Sequence, residues 1–266
     1  MDIISHTLTG VAVGTVAATL SNGSWKQKGL IVLAGGLGGA LPDLDAISYW
    51  SQFDSTIGSF LQLSHSGREI YGGRFWYSHH AALHSILAPL LLILLTTFVR
   101  ALLRRELHPL GIVSYLKARR YIFSAFFFGF LFHLLEDMPT PASVWGGVNL
   151  FFPSSNYVGG LGKIWWWNNY DLVLIILSVI VANVLLNAIP KRFYVLKVRS
   201  ALLVFALGVA MFLFQINTRT VDFSYTGHTP RFAQFENQSK EIQREILGER
   251  LYRWMAALDR MIPLNF

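Results

Sequence analysis

The chain has 266 residues, 53% of them apolar and only 14% charged, with a mean hydropathy of +0.44; a soluble domain carries roughly a quarter charged residues, so this is a membrane composition, and disordered and collagen-like classes are excluded. There is no cysteine, which removes disulfides, thiolate metal sites, iron–sulfur clusters and thiol catalysis and leaves His and carboxylates as the available metal donors. The net charge of +7 acquires meaning only from where the charges sit.

In chain order, six stretches without Asp, Glu, Lys or Arg read as spans: residues 3–25, 29–42, 75–99, 121–135, 172–190 and 200–218. A helix crossing about 30 Å of hydrocarbon needs about 20 apolar residues, so 29–42 and 121–135 are short unless their polar ends, with Asp43 and Glu136, dip below the interface. The first stretch lacks the basic flank of a cleaved signal and is interrupted by His6, so it is expected to remain in the mature protein. Gly10, Gly14, Gly35, Gly36, Gly38 and Gly39 suit close helix–helix packing. Lys26 and Lys28, then Arg100 to Arg120, then Lys191 to Arg199 fall in three connections that together carry +11, against −4 for the rest. By the positive-inside rule these connections are cytoplasmic and both termini lie outside. The basic excess is therefore an orientation signal, and no nucleic-acid partner is expected.

That topology brings ionisable residues to one face. His6, Asp43, Asp45, His79, His80, His84, His133 and Asp137 all fall at outer ends of the first four spans, where ionisable groups are expensive and mark a site, a relay or a path. His133 and Asp137 are four apart and share a helix face; His80 and His84 have the same spacing, whereas His79 and His84 would be about 140° apart on a helix. Pro42 ends the second helix, so Leu-Pro-Asp-Leu-Asp is expected to be an irregular segment presenting both carboxylates. Imidazole plus carboxylate without thiolate suits zinc, with manganese or iron as alternatives, in one or two ions.

Leu-Pro-Asp-Leu-Asp, His-His-Ala-Ala-Leu-His-Ser, His-Leu-Leu-Glu-Asp-Met-Pro-Thr and the opening Met-Asp-Ile-Ile-Ser-His occur in the order found in the YdjM-like family, which the chain resembles from residue 1 to about 153. That family is described as LexA-binding, inner-membrane-associated metal-dependent hydrolases, distantly similar to zinc phospholipases C and related single-strand nucleases. The resemblance implies His6, Asp43, His84, His133 and Asp137 as metal ligands, Asp137 as a bridge between metals, and His79 as the first histidine of a His-x4-His-Ser motif, although helix geometry alone favours His80. His80 stands where the family commonly has Arg and Leu83 where it commonly has Thr.

Hydrolysis is the chemistry such a centre supports, because a bound metal acidifies water and polarises the oxygen under attack. Asp45 is the preferred proton acceptor and Asp43 the alternative; a Ser78 or Ser85 nucleophile lacks any Gly-x-Ser-x-Gly pattern. A site at the outer membrane boundary matches lipid headgroups, so the expected substrate is a membrane lipid or lipid-linked phosphate, with Arg68, Arg74 and Trp145 as substrate-binding candidates. Trp145 and Trp165 to Trp167 also suit an interfacial anchor belt. Two other classes stay open: a non-enzymatic regulatory membrane protein with a structural metal, and a small transporter using the cluster as an ion path.

The tail is different, with 7 basic and 6 acidic residues between 219 and 266. Ile242, Ile246, Leu247, Leu251, Trp254, Met255 and Leu258 recur at helical spacing, which predicts an amphipathic helix on the outer surface. The expected architecture is thus all-α: a polytopic inner-membrane bundle of about six spans over residues 1–218, its metal site drawn mainly from 1–153, followed by the extracytoplasmic tail 219–266.

Overall fold

The computed structural model describes residues 1–261; positions 262–266 of the predicted tail, and the side chain of Lys191 in the third basic connection, lie outside the described residues. The helices are α1 (Ile3–Leu20), α2 (Trp25–Ala40), α3 (Gly67–Gly72), α4 (Leu87–Leu103), α5 (Pro109–Ala118), α6 (Arg120–Asp137), α7 (Tyr170–Ala188), α8 (Tyr194–Ile216) and α9 (Phe232–Met261), with a 3-10 helix at Pro42–Tyr49 and a 3-10 turn at Ala82–His84. Among the described residues no strand forms, only isolated bridges such as Val148 with Val158.

Helix starts follow local chemistry. Asp2 caps α1 by accepting from the Ser5 amide at 2.9 Å, and Ser24 with Gln27 forms a capping box on α2, each satisfying amides that a first turn leaves free. α1 is the most enclosed of the long apolar helices and packs against α2, α6, α7 and α8. Its approach to α2 is set by glycine: a Cβ on Gly39 would collide with the His6 carbonyl, and one on Gly35 with the Gly10 carbonyl. Small Ala17, Ala18 and Ala125 with Ile31 fill the α1–α2–α6 seam, so three backbones run side by side.

Three helices, α1, α7 and α8, are long and apolar enough to cross a membrane, and the number rises to five if each of two bent pairs is one span. These pairs are α2 with the following 3-10 helix, bent by 46°, and α5 with α6, bent by 72°. The sequence count of about six thus becomes three to five. The clearest reason is the third stretch: residues 75–86 form turns, and the helix starts only at Leu87, leaving α4 with 17 residues.

The tail departs from a single amphipathic stripe. Gly248, with φ of 72°, breaks α9 into two segments, and the predicted stripe is covered only in part: Ile242 is buried while Ile246, Leu251, Trp254 and Leu258 are exposed. Phe235 and Ile242 join Trp145, Trp165, Trp166 and Phe223 in one buried aromatic cluster. Trp165 and Trp166 are therefore core residues rather than an anchor belt; the tail covers them.

Candidate metal centre

Four segments deliver the centre. α1 brings His6 and Thr9, the 3-10 helix Asp43 and Asp45, the 79–84 turn three histidines, and the end of α6 His133, Glu136 and Asp137. The helical spacing read for His80 and His84 does not apply, because neither lies on a span. His80 has a left-handed backbone with φ of 63°, and its carbonyl accepts from the Asn149 amide at 3.0 Å. The Leu-Pro-Asp-Leu-Asp segment does leave α2 at Pro42, but as a regular 3-10 helix, which keeps its backbone hydrogen-bonded.

One pattern unites the five buried histidines. In each, Nδ1 is taken: His6 by Glu136 at 2.9 Å, His79 by Asp45 at 2.5 Å, His80 by the Gly147 carbonyl at 3.0 Å, His84 by Asp45 at 3.0 Å and His133 by the Gly39 carbonyl at 2.7 Å. A carbonyl or carboxylate can only accept, so Nδ1 carries the proton and Nε2 of a neutral ring is left with its lone pair. That is the arrangement by which outer partners orient metal-binding imidazoles.

With the rings neutral, the inward-facing atoms are acceptors packed against acceptors. Nε2 of His84 lies 3.3 Å from Nε2 of His133, and Asp137 Oδ2 lies 3.1 Å from His133 Nε2 and 3.7 Å from His84 Nε2. Asp43 Oδ1 completes the set at 3.6 Å and 3.8 Å from the same two nitrogens. On the other side of Asp137, Oδ1 accepts from the Met1 amino group at 2.7 Å and lies 3.0 Å from His6 Nε2. His6 Nε2 and Asp137 Oδ2 are buried without a hydrogen-bond partner. Such orphans are costly in a protein interior, and a cation removes the cost. The donor set fits one: His6 with His133 and Asp137, Asp43 with His84 and His133, and His79 with His80 and His84 each place three donor atoms within 4.8 Å of one another.

Burial pushes His84 down, but the carboxylates of Asp45, Asp43 and Asp137 outweigh it and hold the ring at about 10. His80 goes the other way, well below an ordinary imidazole, first through burial and then through its neighbours His79 and His84.

The remaining sequence candidates divide. Asp45 accepts from His79 through one oxygen and from His84 through the other, so it is placed to orient both rings. Asp43 is the most open ionisable group of the centre, its side chain 13% exposed. Trp145 is buried, stacks on His80 at 4.6 Å and donates to the Tyr71 carbonyl at 2.6 Å, while Tyr71 stacks on His79 at 4.8 Å; these rings wall the centre. Arg68 and Arg74 are exposed and lie over the rings of Tyr49 and Tyr157, without ionic contact to the centre. Glu136, the Gly39 carbonyl and Thr9, which donates to Glu136 at 2.5 Å, are additional members. Glu136 and Thr9 had a signal, each three residues after a candidate histidine; a backbone carbonyl has none.

An all-helical membrane fold with a buried His/carboxylate centre defines a class: a polytopic membrane protein whose His and Asp groups could hold a metal ion. The family model for the YdjM inner membrane protein matches residues 1–220, and the chain belongs to that family. No curated protein and no solved structure matches it.

Proposed function

We propose that the chain is a membrane-embedded metal-dependent hydrolase, a phosphoesterase of phospholipase C type acting on a lipid or lipid-linked headgroup at the outer face of the inner membrane. The observation that supports it is the set of inward-facing Nε2 and carboxylate oxygens around His84, His133 and Asp137, whose outer nitrogens are already tied. A tetrahedral zinc with ligands near 2.0–2.1 Å spaces its donors by roughly 3.3 Å, and the three pairs among these residues measure 3.1, 3.3 and 3.7 Å. Zinc is the first choice, with manganese or iron as alternatives; a second ion between Asp137 and His6 would have to displace the Met1 amino group from Asp137 Oδ1.

A bound cation would lower the pKa of water and draw charge from a phosphoryl oxygen. The residues do the rest. Asp45 and the Gly39 carbonyl hold the rings of His84 and His133, Asp43 at the open side accepts a proton from the incoming water, and Trp145 and Tyr71 keep bulk solvent off the rings. Arg68 and Arg74 are exposed cations for a phosphate. The basic connections lie at the opposite ends of α1, α2 and α6 from the centre, which under the positive-inside rule gives outer sidedness and, with α4 and both bent pairs crossing, six spans.

The competing reading is a structural metal, favoured by Asp43, because four protein donors would close a tetrahedral site. Asp43→Asn separates the two. Under the hydrolase reading, purified protein keeps its metal but loses phosphodiesterase activity on lipid extracts; under the structural reading the metal is lost and wild type has no activity to lose. Wild type without stoichiometric metal, prepared free of chelators, refutes both.

A further inference from the structure

The 3-10 helix that carries Asp43 and Asp45 has a second face. Three residues per turn stack every third side chain in a ridge. The ridge formed by Pro42, Asp45 and Ser48 points inward and is buried, whereas Leu44, Ile47 and then Trp50 are 55%, 47% and 47% exposed. These three continue a strip on α2, where Leu30, Leu33 and Leu37 are likewise exposed. α2 and the 3-10 helix together have the length and hydropathy of one broken span. The chain between Gly29 and Phe53 has no Lys, Arg or Glu, and its two carboxylates lie on or beside the inward ridge.

We infer that the bilayer covers the Leu44–Ile47–Trp50 ridge, so that the centre opens sideways into the leaflet through the Asp43 side and takes substrates whose acyl chains stay in the lipid. The continuity of the strip carries this: an exposed apolar row on α2 is lipid-facing by composition, and a bend of 46° does not carry the next three side chains out of the hydrocarbon edge. Trp50 ends the row where an amphipathic ring suits the headgroup level. Chain that faces lipid must make its backbone hydrogen bonds internally, as a helix does; this segment is a 3-10 helix with Pro42, Ala46 and Ser48 buried against the protein. The proposal deepens the hydrolase reading by fixing the route and the chemical class of substrate, a long-chain amphiphile with a phosphate head, and its first test is independent of activity.

Because the native chain has no cysteine, Leu44→Cys and Ile47→Cys can each carry an environment-sensitive fluorophore in full-length protein, one copy per lipid nanodisc, with Leu33→Cys as the lipid control and Glu245→Cys as the water control. All four positions are exposed, so core packing is spared. Labels at 44 and 47 should be blue-shifted, severalfold brighter than at 245, and quenched by nitroxide lipids as at 33. Quenching by aqueous iodide instead would overturn the inference. So would energy transfer between labelled copies in two-copy discs without lipid quenching, which would assign the ridge to a second chain. In a second arm, Ile47→Glu should lower the ratio of hydrolysis of bilayer phospholipid to that of a short-chain soluble phosphodiester severalfold; an unchanged ratio counts against lateral access. If neither compound is hydrolysed by wild type, the hydrolase reading fails while the depth measurement still decides where the ridge lies.

Discussion

Two buried polar clusters sit at the same end of the helix bundle, and they are built on opposite principles. Asp171, at the start of α7, meets the Arg219 guanidinium at 2.8 and 2.9 Å and the Gln243 side-chain amide at 2.9 Å, while its own backbone amide donates to Gln243 at 3.0 Å. Acid and base cancel within the protein, and the result clamps the tail to α7. The centre at His84 and His133 holds four carboxylates, those of Asp43, Asp45, Glu136 and Asp137, and no Lys or Arg among the described residues pairs with them. The first cluster balances its charge without a ligand, with Arg219 Nη1 left buried and without a hydrogen-bond partner. The second sets the Met1 amino group, 2.7 Å from Asp137, against four carboxylates and leaves His6 Nε2 and Asp137 Oδ2 without hydrogen-bond partners, a cost that a bound cation would remove.

The largest expected effect tests that contrast directly. His133→Ala removes the nitrogen that lies against His84 Nε2, Asp137 and Asp43, and metal analysis of detergent-purified protein should fall from stoichiometric to none; full retention would break the distinction between the clusters. Next comes Asp171→Ala, which strands Arg219, whose side chain is 2% exposed. Breaking a buried pair from one side costs about 3–5 kcal/mol, to be read in thermal or denaturant unfolding, with metal content unchanged. A coupled loss of metal would mean the clamp and the centre form one unit, joined through the cluster in which the tail's Phe235 and Ile242 pack with Trp145. The smallest effect sharpens the comparison. Asp45→Asn keeps one acceptor oxygen but cannot receive Nδ1–H from both His79 and His84, and loss of such an outer contact lowers metal affinity about 10–100-fold, measurable by chelator competition in protein that remains folded.

How much of this was legible beforehand follows from the range of each signal. The pairing of His133 with Asp137 is local: four residues on one helix share a face whatever surrounds them, and α6 keeps them 3.1 Å apart. The end of α2 at Pro42 is equally local. His80 misled because periodicity presumes a helix, and the turn there depends on a contact with Asn149, 69 positions away in sequence. Trp165 and Trp166 misled for a related reason: a run of tryptophans looks interfacial until a distant tail segment covers it.

By itself, the amino-acid order determined the membrane class, the thiol-free donor set and the segments that carry it, because composition and short-range spacing act residue by residue. Which nitrogen of each imidazole faces inward, that Asp45 is consumed by two rings while Asp43 stays open, and that a glycine carbonyl orients His133 were decided only by the folded packing of α1, α2 and α6. Orientation inside a crowded interior is a property of several backbones held at glycine contact distance, and no single stretch of chain contains that information.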